Sequence, residues 1–526
     1  MESNVAQLLG VAAEREPDRI ALSEATTGRT VTWRELDTLA DAVAHGLSTA
    51  GLVGGHRVLI ALGNRIEFVA GYLGVIRARL VAVPVNPRSA TGELVRMLAD
   101  SGARMVLADA GTVDRARVAV IGVAEALAGG GAENRSPARV VTVGTPAQVG
   151  ELAWDDLVVD TGRPTPAPED PESLAVLLYT SGTSGRPRAA MLSHRALLAN
   201  IEQIAEVEPP MIHGNDVVFG VLPLFHVYGL NAVLGQLLRH HARMVLVESF
   251  DPQGALDIIE DEAVTVLPVA PPVFAYWRSV EHLEDRIGPV RLALSGSAPL
   301  SVDLVRWFTS TTGIDVHQGY GLTEASPVVT STLCSKNMQP GSVGAALPGV
   351  EIRLADETGH HPEGDDPGEI WIRGANLFSG YWPDGSDGPD DEGWYATGDV
   401  GFLDLTGDLF LVDRLKELVI VSGFNVYPVE VEEVLSEIPE IAESAVIGAA
   451  DEQTGEAVVA YVKPREGVDP AELPDLVRRH CAVRLARFKQ PSVIHVVDEL
   501  PYTVTGKVQK GRLRADERRR ALGLLE

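Results

Sequence analysis

The sequence predicts an α/β protein: a large N-terminal domain of parallel, helix-covered sheets, a shorter-stranded β part, and a small α+β C-terminal domain. Three observations carry this. Over roughly the first 330 residues, short Val/Ile/Leu/Ala runs alternate with amphipathic segments, the pattern of parallel strands crossed by helices on both faces. From about Gly341 the pattern changes to short β runs, and after Arg414 a compact α+β pattern follows. The expected domains are therefore 1–413 and 414–526.

Taken in order, "HRVLIAL" is a strand and "RIEFVAGYLGVIRAR" its helix. The pairs "RMVLVES" with "QGALDIIEDE", and "VRLALSG" with "SVDLVRWFTSTTG", repeat the unit. Two segments rich in Pro, Gly and polar residues, Ala128 to Arg139 and Thr161 to Ser173, read as exposed connections. "VEIRLAD", "GEIWIRG" and "DLFLVDR" are the short β runs, interrupted by the acidic, turn-rich "YWPDGSDGPDDEG", which reads as a surface loop. "LKELVIVSGFNVYPVEVEEVLSEIP", "ESAVIGAAD", "EAVVAYVKP", "ELPDLVRRHCAVRL" and "SVIHVVDELP" make the last domain.

With 44 Lys+Arg against 73 Asp+Glu the net charge is −29, which repels polyanions and argues against a nucleic-acid scaffold. A small anionic ligand then needs its own local cations. Only Cys334 and Cys481 are present, far apart, so no disulfide framework or metal cluster is expected and a reducing cytoplasm fits. The start, "MESNVAQLLGVAAEREPDRIAL", lacks the basic and apolar regions of a signal peptide. Val217 to Leu238 has no Asp, Glu, Lys or Arg and reaches membrane-spanning length. Pro223, His226, Asn231 and Gln236 interrupt it, and its period shifts from alternating to helical. We read a buried strand, a Pro-containing turn and a buried helix, with no membrane span.

Four short stretches carry chemistry. "LLYTSGTSGRPRAAMLSH" (Leu177 to His194) joins a buried strand to a helix whose expected N-cap is Ser193. Its small residues let backbone N–H groups approach an anion; Thr180, Ser181, Thr183 and Ser184 add hydroxyls, Gly182 and Gly185 add room, and Arg188 adds charge. It is not a Walker A loop, since no Gly-Lys-Ser/Thr follows. Taken alone, it also reads as a flexible linker. "QGYGLTEASP" (Gln318 to Pro327) offers an aromatic between glycines, then Thr323 and Glu324; a simple turn is the bland reading. "WYATGDVGFLD" sets Asp399 in a tight turn, suited to two ribose hydroxyls or to turn formation alone. "PYTVTGKVQKGRL" puts Lys507 after a glycine, where an exposed lysine is ordinarily just solvated.

Together with "DRLK" (Asp413 to Lys416), these stretches resemble, in order and over nearly the whole chain, the adenylate-forming superfamily of acyl-CoA synthetases, coumarate-CoA ligases, luciferases and peptide-synthetase adenylation domains. The resemblance implies that family's fold, with a small β-barrel-like part in the large domain and a mobile C-terminal domain. It implies an AMP-forming acid-thiol ligase using ATP, Mg²⁺ and coenzyme A. In that reading the Gly/Ser loop clasps the pyrophosphate end of ATP, Thr323 bonds the α-phosphate and Glu324 ligates Mg²⁺. Tyr320 stacks on adenine beside Gly319 and Gly321, while Gly296, Ser297, Ala298 and Pro299 line the adenine pocket. Asp399 and Arg414 hold the ribose. Lys507 bridges carboxylate and phosphate, Lys416 is the hinge, and Ser422, Gly423 and Phe424 turn toward the CoA tunnel. "LPLFHVYGL" resembles the segment lining the acid pocket, with His226 and Tyr228 toward substrate; on its own, a histidine between apolar residues is more often a core histidine. Gly229, Gly319 and Gly321 are expected to leave space there, a hint of a bulky acid.

The chain departs from the family pattern at several positions. Arg188 stands for lysine and Ala189 for glycine, where a planar cation and an added Cβ are expected to slow adenylation. Ile420 and Ser422 replace lysines of the plant coumarate ligases, and Asn425 a glutamine. Three alternatives accompany the CoA-ligase reading: an enzyme loading a carrier protein's phosphopantetheine, a ligase efficient only in thioesterification of supplied acyl-AMP, and a non-catalytic nucleotide sensor. The acid (fatty, aryl or terpenoid) is left open, as is a homodimer.

Overall fold

The computed structural model describes residues 2–129, 138–158, 161–162, 165–167, 169–180, 188–297, 300–356, 359–360, 362, 367–414, 417, 419–421, 424–451, 454–503 and 506–521. The chain divides into two compact units, one of Met1–Glu351 with Arg373–Tyr395, the other of Ile352–Ile372 with Ala396–Glu526.

The first unit holds two large sheets. A seven-stranded sheet runs Leu152–Ala153, Arg139–Val143, Met105–Asp109, Arg57–Ala61, Val81–Pro84, Leu174–Thr180, Arg188–Ser193. Its pairs are parallel except the last, an antiparallel hairpin with Tyr179 opposite Ala189 and Thr180 opposite Arg188. A nine-stranded sheet runs Ala345–Ala346, Val328–Ser331, Val316–Gly321, Leu292–Ser295, Val266–Val269, Val217–Gly220, Arg243–Leu246, Ile20–Glu24, Thr30–Thr32. Its middle is parallel and both margins are antiparallel. The continuous apolar runs belong to these central strands, which are covered on both faces and need no polar alternation.

Local chemistry starts and stops the helices, and the expected Ser193 cap is present. Ser193 caps His194–Ala205, its Oγ accepting from the Ala196 N–H at 3.2 Å. Thr32 and Glu35 form a capping box on Trp33–Thr49. Ser301 opens Val302–Thr312 and left-handed Gly313 closes it. One core gathers Phe219, Leu267, Phe274, Trp277 and Phe308, the rings of Phe274 and Phe308 meeting edge to face at 4.9 Å. The apolar Val217–Leu238 stretch folds as the strand Val217–Gly220, a Pro-containing turn, a π-helix Tyr228–Val233 and the helix Leu234–His240. No helix among the described residues is long and apolar enough to cross a membrane. Of the two expected connections, residues 130–137 and parts of 159–168 lie outside the described residues.

In the second unit, a sheet of Phe424–Val426, Val419–Val421, Gly455–Pro464 and Ile441–Asp451, with Val493–Val496 beside Gly455–Pro464, packs on the helices Pro428–Ser436 and Leu473–Arg484. The short β runs form a four-stranded sheet, Val350–Ala355, Gly368–Gly374, Trp394–Leu403 and Leu409–Arg414.

Candidate active site

The hairpin carrying the Gly/Ser stretch presents Arg188 at its base; Ser181, Gly182, Thr183, Ser184 and Gly185 lie outside the described residues. Residues 379–382 run along the hairpin's second strand: Ser379 N–H donates to the Met191 carbonyl, Met191 N–H to that of Gly380, and Trp382 N–H to that of Ala189. Tyr381 is bridged to Ala190 in antiparallel register. In an extended chain Arg188 and Ala190 share a face, so Tyr381 becomes the diagonal cross-strand neighbour of Arg188. The guanidinium accordingly lies 3.8 Å from the Tyr381 ring centroid. It also pairs with Asp387 at 2.7 Å and reaches Ser386 Oγ at 3.4 Å. Ala189, where an added Cβ was expected to crowd the backbone, is buried in a core cluster with Leu177 and Val83, so its methyl packs inward.

Glu324 sits in the turn Thr323–Ala325, which left-handed Ser326 ends. Its backbone is pinned from outside the motif: the Phe378 N–H donates to the Glu324 carbonyl at 2.9 Å and Asn376 Nδ2 to that of Ala325 at 2.7 Å. Asn231, in the π-helix, donates to the Ser326 carbonyl at 2.6 Å and to that of Leu197 at 3.0 Å. The buried Glu324 carboxylate accepts the Tyr381 hydroxyl at 2.5 Å. Burial, then the Glu324 charge, pushes the Tyr381 phenol well above its usual pKa, so it remains a donor. Phe378 meets Tyr381 and Tyr395 edge to face, each at 5.0 Å.

Tyr320 is buried beside this turn. The segments holding Tyr228 and Gly296 abut: a Cβ on Gly296 would lie 2.8 Å from Tyr228 Cε1, so the ring rests on the glycine. Burial also raises the Tyr228 phenol's pKa. His226 is half-buried, its ring 5.5 Å from that of Phe225. Ser297 carries a left-handed φ of 74°, a strained conformation for serine, and Ala298 and Pro299 lie outside the described residues. The space expected beside Gly229, Gly319 and Gly321 is absent. A Cβ at these positions would lie 2.4, 2.7 and 2.4 Å from the carbonyl oxygens of Pro223, Thr330 and Pro327. Close backbone approach accounts for all three glycines, and the hint of a bulky acid drawn from them is withdrawn.

In the second unit, Asp399 is buried and stands opposite Arg414 in the antiparallel pair Trp394–Leu403 with Leu409–Arg414. The register slips one residue further on, a bulge of the kind that re-aims side chains beside active sites. Lys507 is exposed on a tight turn: Thr503 N–H donates to its carbonyl at 2.7 Å, its own N–H to Thr503 Oγ1 at 3.0 Å, and Gly506 supplies the φ of 79°. Phe424 lies in the strand Phe424–Val426; Lys416, Ser422 and Gly423 are outside the described residues. Sequence reasoning missed Tyr381, Asp387, Asn376 and Asn231. Their partners lie 57 and 199 residues away in the case of Tyr381 and Asp387, and no spacing rule joins them.

Residues 9–382 match the family described as AMP-binding enzyme, and residues 430–507 match the AMP-binding enzyme C-terminal domain. The chain is 33% identical over 524 residues to 4-coumarate–CoA ligase-like 9 of Oryza sativa subsp. japonica, covering 95% of this chain and 90% of that protein. It is 32% identical over 537 residues to the long-chain-fatty-acid–CoA ligase of Bacillus subtilis (strain 168), covering 97% and 94%. Among solved structures, ATP-bound MatB from Rhodopseudomonas palustris aligns at a TM-score of 0.86 with 32% identity, covering 98% of this chain and 99% of that one. The anthranilate CoA ligase AuaEII in complex with anthranoyl-AMP aligns at 0.86 with 25% identity, covering 99% and 100%. The chain belongs to the AMP-binding enzymes of the adenylate-forming superfamily. Within it, the protein is an ATP-dependent acid-thiol ligase that makes acyl-CoA.

Proposed function

We propose that this ligase activates an aromatic or long-chain fatty acid, the two kinds of acid in its relatives' names, with Arg188, Thr323 and Glu324 at the phosphates. The supporting observation is the line Arg188–Tyr381–Glu324, which sets the cation at the base of the Gly/Ser hairpin beside the Thr-Glu turn. Adenylation joins two anions: a carboxylate oxygen attacks the α-phosphorus, the bond to pyrophosphate breaks, and pyrophosphate leaves with that electron pair. Donors and cations around the developing charge lower that barrier. The site suits Mg²⁺, since Glu324 offers a hard oxygen, and one carboxylate is what a Mg²⁺ site completed by substrate phosphates and water needs. When bound, Mg²⁺ would neutralise phosphate charge as pyrophosphate departs.

In the same reading, Thr180 and residues 181–185 hold the departing pyrophosphate. Tyr320, with Gly296 to Pro299, holds adenine, and Asp399 with Arg414 holds the ribose. Lys507 bridges the acid and the α-phosphate. His226, Tyr228, Gly229 and Gly321 border the acid. A thiol then attacks the acyl carbon and AMP leaves; we assign this step to the domain from residue 414 onward, turning about Lys416 to bring Ser422 to Phe424 to CoA. CoA is the preferred acceptor, because a chain of net charge −29 repels acidic carrier proteins. With both cysteines free, the cytoplasm is the fitting compartment. Acid-dependent exchange of labelled pyrophosphate into ATP tests the first step: exchange that Glu324→Gln abolishes supports the assignment, and unaltered exchange in that variant overturns it.

A further inference from the structure

Tyr381 belongs to none of the motifs assigned above, yet it joins two of them. Its hydroxyl holds Glu324 Oε1 at 2.5 Å, and its ring carries Arg188 at 3.8 Å on the opposite strand. The phenol is itself fixed: the backbone is bridged to Ala190, the ring is edged by Phe378 at 5.0 Å, and the Tyr395 hydroxyl lies 3.5 Å away. A carboxylate has two oxygens, and a charge-assisted donor on one fixes the plane of both. Mg²⁺ tolerates little departure from octahedral geometry, so a carboxylate free to rotate or chelate is a poorer ligand than one held still. A guanidinium over the ring face also draws density from the phenol and strengthens its O–H as a donor.

We propose that Tyr381 is a positioning residue for the metal: it holds Glu324 Oε1 so that the other oxygen is offered to Mg²⁺, and through Arg188 it couples that carboxylate to the phosphate-binding hairpin. This rests on the reading of Glu324 as the metal ligand. Tyr381→Phe keeps the ring beneath Arg188 and removes only the hydroxyl.

The test is ATP affinity by titration calorimetry, in EDTA and across a Mg²⁺ series, for wild type, Tyr381→Phe, Glu324→Gln and the double variant. Tyr381→Phe is expected to need about tenfold more Mg²⁺ for half of the metal-dependent gain. Its affinity in EDTA stays at the wild-type value. Glu324→Gln loses the gain, and the double variant behaves like Glu324→Gln alone. If Glu324→Gln loses the gain and Tyr381→Phe keeps the wild-type Mg²⁺ requirement, the positioning role falls and the metal-ligand reading stands. If Glu324→Gln keeps the gain, both fall. If Tyr381→Phe weakens ATP equally with and without Mg²⁺, its role is structural only and the proposal is overturned. Should Tyr381→Phe fail to fold, 3-fluorotyrosine at 381 keeps the ring and hydroxyl while changing the donor strength. A shift of roughly threefold in the Mg²⁺ requirement supports the proposal, and none overturns it.

Discussion

Arg188 has two partners at once: its guanidinium pairs with Asp387 at 2.7 Å while resting 3.8 Å above the Tyr381 ring. In its proposed role at the phosphates, Arg188 exchanges one anion for another. Asp387 is 71% exposed, so the pair sits in the weak range of surface ion pairs. Asp387→Asn is therefore expected to tighten ATP binding by about two- to fivefold. Equilibrium ATP titration at fixed Mg²⁺ checks this; weaker binding in the variant would show that Asp387 orients Arg188 instead of competing for it.

Gly296→Ala and Gly321→Ala separate two kinds of glycine. At Gly296 the new Cβ would meet the Tyr228 ring at 2.8 Å, and a side chain can give way. Activity is expected to fall with little loss of stability, through a higher KM for both acid and ATP. At Gly321 the new Cβ would meet the Pro327 carbonyl at 2.4 Å, and backbone has to move. That variant is expected to lose about 1–3 kcal/mol of stability. Thermal melts and steady-state kinetics on both variants distinguish the cases.

His194 makes folding acid-sensitive. Burial pushes its pKa down to about 4, against a smaller opposite pull from Asp170, and its Nδ1 accepts the Val5 N–H at 3.3 Å. The neutral ring belongs to the folded state, while the unfolded chain takes up a proton near the ordinary value of about 6.5. The contribution is complete above that value and is lost as pH falls toward 4, about 3 kcal/mol in all. His194→Gln is expected to flatten this dependence. Denaturant unfolding at pH 7 and pH 5 measures it, and equal slopes in variant and wild type would exclude His194 as the source.

Asn231 is a stability residue behind the Glu324 turn. It is 1% exposed and ties helix His194–Ala205 to the turn after Glu324 through the Leu197 and Ser326 carbonyls. Asn231→Ala leaves two buried acceptors without this donor, at a cost of about 1–3 kcal/mol each before relaxation. A lowered melting temperature with a raised Mg²⁺ requirement is expected, because the turn carrying Glu324 loosens.

Lys507 stands on an exposed turn, so Lys507→Ala is expected to change stability by less than about 0.5 kcal/mol. ATP binding is expected to persist while acid-dependent AMP formation falls by about a hundredfold or more. Thioester formation from synthetic acyl-AMP should continue. Rapid-quench assays of the two half-reactions show whether the loss is confined to the first.

What the sequence made legible was local or periodic. The Ser193 cap follows from one hydroxyl before an apolar helix, and the alternating strands and helices follow from hydrophobic period. Asp399, expected in a tight turn, lies instead within the strand Trp394–Leu403, and its register opposite Arg414 belongs to the hairpin, which the motif itself does not show. What escaped depends on register between distant segments. Tyr381 opens an acidic stretch that reads as surface loop, and most of that loop is exposed, yet its first residue is buried against Glu324. Only its pairing with Ala190 decides this, and composition carries no trace of it. The glycines at 229, 319 and 321 were misread for the same reason, because a backbone oxygen from another segment fills the space that a missing side chain seems to leave.

The most direct test of the central claim follows AMP release and thioester mass together, in a panel of aromatic, fatty and terpenoid acids with ATP, Mg²⁺ and CoA. The account predicts that one class of acid yields AMP and acyl-CoA in equal amounts, and that Glu324→Gln loses both. AMP release without acyl-CoA for every acid in the panel would contradict it.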